Sequence, residues 1–118
     1  MRILVVEDEP LLAMMLEECL DELGHELVGT AATVEQAFEL LDGAAQPPDF
    51  ALLDFSLGGD SNSLPVARRL HAAGVPFAYL TGHASLDGEG DVPPAPILAK
   101  PFTLDQLDAA IRSFKLAA

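Results

Sequence analysis

Residues 50–53, Phe-Ala-Leu-Leu, form an unbroken apolar run that ends in a single carboxylate, Asp54, with Gly58-Gly59 close behind. A strand with one wet face alternates apolar and polar side chains. A run without alternation, bounded by turn residues, belongs to a strand buried on both faces, as in a parallel sheet covered by helices. Three further runs follow the same rule. Residues 3–6 (Ile-Leu-Val-Val) end in Glu7-Asp8-Glu9, residues 75–80 end at Thr81, and residues 96–99 (Pro-Ile-Leu-Ala) end at Lys100-Pro101. Residues 25–31 make a fifth strand, less apolar and therefore expected nearer an edge.

Helical spacing fills the intervals. Pro10 opens a helix whose apolar residues at 11, 12, 15, 16, 19, 20 and 23 are read as a one-sided stripe, the face expected to be buried, stopped by Gly24. Thr33-Val34-Glu35-Gln36 has the form of a capping box, ahead of a helix whose buried face is Val34, Ala37, Phe38 and Leu41. Leu64-Pro65 begins a third helix running to about Ala73 and closed by Gly74. Thr103-Leu104-Asp105-Gln106 is a second capping box, before a helix lined by Leu107, Ala110, Ile111 and Phe114. Residues 82–95 are rich in Gly and Pro with little periodicity, so the fourth helix of a five-fold repeat is expected to be absent or mobile. Five alternations of strand and helix call for an α/β fold, a doubly wound five-stranded parallel sheet with strand order 2-1-3-4-5. The 118 residues suffice for one domain, 1–118, and no output domain is expected, with a fragment of a longer regulator as the alternative.

Charge narrows the functions. With 19 acidic and 6 basic residues, the net charge of −13 argues against nucleic acid and anionic lipid as direct partners, because both require a basic footprint. The apolar stretches are too short to cross a membrane, and no glycine-rich phosphate loop follows the first strand. Cys19, without a partner in the chain, reads as a small core residue of a protein from the reducing cytoplasm.

In the 2-1-3-4-5 order, Glu7-Asp8, Asp54, Thr81 and Lys100 meet at the carboxyl ends of four strands, where open α/β sheets bind ligands. Three carboxylates with no cation would repel one another and raise each other's pKa values. Mg²⁺ fits, since it takes one or two carboxylates together with water and phosphate oxygens. An arriving phosphoryl group would then find a metal, an ammonium and the Thr81 hydroxyl. Asp54, alone on its strand and central, is the best-placed nucleophile for an aspartyl phosphate.

With these residues the chain resembles, over essentially its whole length, a response-regulator receiver domain of two-component signalling, with the (βα)5 flavodoxin-like fold. The matching pieces are Glu7-Asp8, the acceptor Asp54, the hydroxyl residue Thr81, and Lys100-Pro101-Phe102. The resemblance implies Mg²⁺ held by Asp8, Asp54 and the backbone carbonyl of Ser56, with Glu7 acting through water. Thr81 and Lys100 would bind phosphate, with a cis peptide between Lys100 and Pro101. It further implies a signalling domain rather than an enzyme.

The family's switch position is usually aromatic; here it is Ile97. The stretch Pro76-Phe77-Ala78-Tyr79-Leu80-Thr81-Gly82-His83 is similar to the so-called FATGUY receivers, which lack that aromatic. The resemblance implies as partners a histidine kinase of the HWE or a related class, or a histidine phosphotransfer protein, and a downstream protein. The last helix with residues 82–95 is the expected contact surface, and phosphorylation is expected to order 82–95. Gly82, His83 and Pro101 adjoin the site, and His83 either steers water or is merely solvated. Tyr79 is expected in the core, with standing in for the missing aromatic as the alternative; His25 and His71 are expected at the surface without partners. Two alternatives remain open. One is a small Mg²⁺-dependent phosphohydrolase, although its usual second acid is replaced by Ser56. The other is a pseudo-receiver that binds a partner without phosphorylation.

Overall fold

A computed structural model describes residues 1–57, 62–81, 95–100 and 102–117, the last five of these by backbone alone. The elements run β1 (Arg2–Val6), α1 (Pro10–Glu22), β2 (Glu26–Ala31), α2 (Val34–Gly43), β3 (Phe50–Asp54), α3 (Leu64–Ala72), β4 (Phe77–Thr81), β5 (Ile97–Ala99) and α4 (Leu104–Ala117). All strand pairings are parallel, in the order β2-β1-β3-β4-β5. The expected sheet is thus present, and the least apolar of the long strands, β2, lies at an edge. Expectations for a fourth helix in 82–95 and for its ordering fall outside the described residues, apart from Ala95. So do Gly82, His83 and the Lys100–Pro101 peptide.

Two apolar clusters sandwich the sheet. Leu4, Val6, Ala51, Leu53, Phe77 and Tyr79 pack with α2 and α3 through Ala37, Val66, Ala67 and Leu70. Ile3, Val5, Phe50, Leu52, Ala78 and Leu80 pack with α1 and α4 through Leu16, Leu20, Leu107 and Ile111. Successive strand residues face opposite clusters, and both faces are covered, so β3 and β4 are buried at every position. Tyr79 is a core residue, 1% exposed, edge-on to Phe55 and Phe77.

The helix ends follow local chemistry. Gly24 (φ 83°) and Gly74 (φ 74°) adopt the left-handed conformation that closes a Schellman turn. In the first, His25 N–H donates to the Leu20 carbonyl; in the second, Val75 N–H donates to that of Leu70. At α4 the box is reciprocal: Thr103 Oγ1 accepts from Gln106 N–H, and Gln106 Oε1 accepts from Thr103 N–H. At α2 the Thr33 half forms, but the Gln36 side chain reaches one residue further back, to Ala32 N–H.

Two expectations are corrected. Leu11 and Met15 do not join the buried face of α1; they are 72% and 55% exposed. At 100° per residue, Leu12, Leu16, Cys19, Leu20 and Leu23 share one arc, whereas Met15 and Leu11 lie about 100° and 140° round from Leu16. Nor is His25 a free surface group. It is half-buried, with the Met1 ammonium 3.1 Å from its Nδ1, because Glu26 N–H binds the Met1 carbonyl and brings the terminus alongside.

The attachment of α4 to the sheet depends on Leu107, fully buried in the cluster that also holds Ile3, Val5, Phe50, Leu52, Ala78 and Leu80. Leu107→Ala should destabilise the chain by about 2–5 kcal/mol in urea unfolding, the cost of a core cavity. A change below about 1 kcal/mol would mean that α4 does not dock as described.

Candidate functional site

The site is assembled by sheet register. Val6 lies opposite Leu53, so the next residues, Glu7 and Asp54, leave adjacent strand ends together. Leu80 lies opposite Asp54, and Ala99 opposite Thr81, which delivers Lys100 to the same edge. Backbone bonds fix these ends: Glu7 N–H donates to the Ala31 carbonyl at 2.8 Å, Phe55 N–H to that of Leu80 at 2.9 Å, and Lys100 N–H to that of Thr81 at 2.8 Å. A slip of one residue on any strand would turn these side chains to the wrong face.

The side chains converge as the sequence suggests. Lys100 Nζ lies 3.0 Å from Asp54 Oδ2 and 3.3 Å from Glu7 Oε1. Glu7, Asp54 and Thr81 are buried, whereas Asp8 is exposed at the rim, its N–H donating to Glu7 Oε2 at 3.1 Å. Glu7 bears the electrostatic cost of this arrangement. Burial, then the hydrogen bond and charge of Asp54, push its carboxyl up to about 8, and Lys100 offsets this only in part. Burial alone would favour loss of the Lys100 proton, but the bonds and charges of Asp54 and Glu7 outweigh it and hold the ammonium above its ordinary range.

Glu7, Asp8 and Asp54 each offer a carboxylate oxygen, and these three atoms lie within 4.8 Å of one another. Ligand oxygens about 2.1 Å from one ion are at most about 4.2 Å apart, so a small inward movement would bring all three onto a single cation. A donor set of oxygen alone suits Mg²⁺ rather than zinc or copper. The residues present therefore fit Mg²⁺.

The loop after β3 contains what sequence reasoning missed. Ser56, exposed, forms an antiparallel bridge with Asn62. Asn62 Oδ1 accepts from Leu64 N–H at 3.0 Å, whereas Ser63, at the N-cap position, makes no side-chain capping bond. The signal was an Asn two residues before a helix opened by Leu-Pro, an Asx turn. Ile97, at the position expected for a switch, is 40% exposed on β5 and lies opposite the buried Tyr79.

Comparison with known proteins agrees with this geometry. A family model described as "Response regulator receiver domain" matches residues 3–112. The Phyllosphere-induced regulator PhyR of Methylorubrum extorquens is 34% identical over 111 residues, which is 92% of this chain and 41% of that protein. The chain spans less than half the length of the first curated relatives it matches. The solution structure of SdrG from Sphingomonas melonis is 40% identical with a TM-score of 0.80, covering 97% of this chain and 95% of that one. The receiver domain of sensor histidine kinase PA1611 from Pseudomonas aeruginosa, with magnesium coordinated in its active-site cleft, is 26% identical with a TM-score of 0.80. That match covers 95% of this chain and 94% of the other.

The raised Glu7 pKa has a measurable consequence without a divalent cation. Unfolded, the group ionises near 4.5; folded, it keeps its proton to about 8. The folded state binds the extra proton, so this contribution to stability is complete below about pH 4.5 and is lost as pH rises to about 8. In EDTA, the urea midpoint should fall between about pH 5 and pH 8, and Glu7→Gln should flatten that fall. Equal slopes in the two proteins would contradict the assignment.

Proposed function

The chain belongs to the response regulator receiver family, and from that premise we propose that it takes a phosphoryl group from a phosphohistidine donor onto Asp54. The carrying observation is Asp54 itself: a buried carboxylate at the end of a central strand, 3.0 Å from an ammonium and clustered with the oxygens of Glu7 and Asp8. The relatives are response regulators, signalling proteins rather than enzymes.

The chemistry follows from the positions. An Asp54 carboxylate oxygen attacks phosphorus, and a P–O bond forms as the P–N bond to imidazole breaks. The imidazole leaves with the electron pair and regains a proton from solvent. The Lys100 ammonium and the Thr81 hydroxyl hold phosphoryl oxygens, and the Lys100 N–H to Thr81 carbonyl bond keeps these two residues together. Mg²⁺, held by Asp8, Asp54 and the Ser56 carbonyl with Glu7 through water, would supply positive charge to the phosphoryl oxygens. Attack by water on the aspartyl phosphate later returns the free carboxylate.

The donor is a histidine kinase, of the HWE or a related class, or a histidine phosphotransfer protein. The similarity of 76–83 to FATGUY receivers and the non-aromatic Ile97 support that choice. Output runs through a protein contact, a relay step or drainage of phosphate from a kinase. No helix among the described residues is long and apolar enough to cross a membrane, and a phosphohistidine donor points to action in the cytoplasm.

Intact mass after incubation with Mg²⁺ and acetyl phosphate tests the proposal. The wild type should gain one phosphoryl group, and the gain should vanish without Mg²⁺ or in Asp54→Asn. A wild type that neither gains mass nor binds Mg²⁺ would favour a phosphorylation-independent pseudo-receiver.

A further inference from the structure

The strand that carries Asp54 does not run on freely beyond it; the next residue is tied down and the one after it is bridged across the loop. Phe55 is held on both sides, its N–H donating to the Leu80 carbonyl at 2.9 Å and its carbonyl accepting from Ser63 N–H at 3.0 Å. Its ring is 8% exposed and meets Tyr79 edge-on at 6.1 Å. Ser56 has neither a buried side chain nor a strand partner in the sheet. Asn62 stands beside it as its antiparallel bridge partner, brought there by the bond from Ser63 N–H to the Phe55 carbonyl.

The kind of bridge matters. The Ser63-to-Phe55 bond flanks the Ser56–Asn62 pair, which makes that pair the one whose members do not bond to each other. The Ser56 carbonyl is consequently turned out of the bridge, where it can serve a ligand. Asn62 is fixed in turn by its own side chain, through the 3.0 Å bond from Leu64 N–H. Nothing else among the described residues caps α3 by a side chain: Ser63 makes no such bond, and Pro65 has no N–H. The start of α3 is anchored further in by Leu64, Val66, Ala67 and Leu70, all buried. One amide oxygen therefore joins a buried helix to the bridge partner of Ser56, the residue whose carbonyl the proposed Mg²⁺ site uses.

We infer that Asn62 is a positioning residue for the cation: its Asx turn, acting through the bridge, fixes the Ser56 carbonyl beside Glu7, Asp8 and Asp54. The inference rests on the proposed Mg²⁺ site and adds a residue that never touches the ion. Partners of this kind, standing behind the ligands, typically change metal affinity by 10–100-fold.

Calorimetric titration with Mg²⁺, paired with urea unfolding in EDTA, tests it on the whole chain. Asn62→Ala should raise the Mg²⁺ dissociation constant about tenfold, while Asn62→Ser, whose hydroxyl can make the same two-residue turn, should stay within about twofold of wild type. Thr103→Ala, which removes a cap on the distant α4, should lower the urea midpoint and leave the dissociation constant unchanged. If Asn62→Ala does not fold, Asn62→Gln, one methylene too long for the turn, carries the same expectation. A lowered midpoint with wild-type Mg²⁺ affinity would overturn the inference and reduce Asn62 to a helix cap. A wild type that binds no Mg²⁺ would overturn the proposed site as well, so the two failures are distinct.

Discussion

Two buried carboxyl groups, Glu7 and Asp54, share one ammonium, Lys100, and the rest of the structure is arranged so that they can. Taking a carboxylate out of water costs several kcal/mol unless a charge partner and hydrogen bonds compensate. Lys100 supplies one positive charge at 3.0 and 3.3 Å, and the raised Glu7 pKa shows that this is less than two carboxylates need. Below about pH 8 the deficit is met by a proton on Glu7. The strain is electrostatic, local and located where a divalent cation fits.

Such a site demands a framework that does not yield. Its members come from the ends of β1, β3 and β5, three strands remote in sequence, so sheet register alone decides whether they meet. Parallel pairing buried on both faces provides that constraint, because a slip would exchange every side chain between two apolar clusters. The Schellman glycines and the reciprocal box at α4 fix where the helices begin and end, and hence where the strand ends emerge. Stability is concentrated in the layers beneath the site; the acidic edge depends on them and contributes little of its own.

This division explains what could be seen in the sequence. The apolar runs, strand order and gathering of Glu7, Asp8, Asp54, Thr81 and Lys100 were legible because each follows from a pattern local to one segment, combined by topological rules. What escaped depended on contacts between segments. The seven apolar positions of α1 satisfy helical spacing, but only the sheet decides which arc is buried, and Leu11 and Met15 fall outside it. His25 gained a neighbour through the strand pairing of the N-terminus. The turn-like stretch before α3 gave no hint that Asn62 would bridge to Ser56, a contact across the loop.

The aromatic residues set a further limit on how a change at Asp54 can spread. Ile97, where an aromatic is usual in this family, lies on a three-residue edge strand and is 40% exposed, so it has little interior to lose or gain. Tyr79, opposite it on β4, is 1% exposed and held edge-on between Phe77 at 5.4 Å and Phe55 at 6.1 Å. Burial holds its hydroxyl in the neutral form, pushing its pKa up to about 12. A ring so enclosed cannot rotate without opening a core cavity, at a cost of about 3–5 kcal/mol if its packing were lost outright. Phe55, by contrast, directly follows Asp54 and ends the same aromatic row. A direct link from Asp54 to that aromatic row is therefore the backbone to Phe55, and the bonds of Phe55 to the Leu80 carbonyl and to Ser63 N–H limit how far that backbone can move.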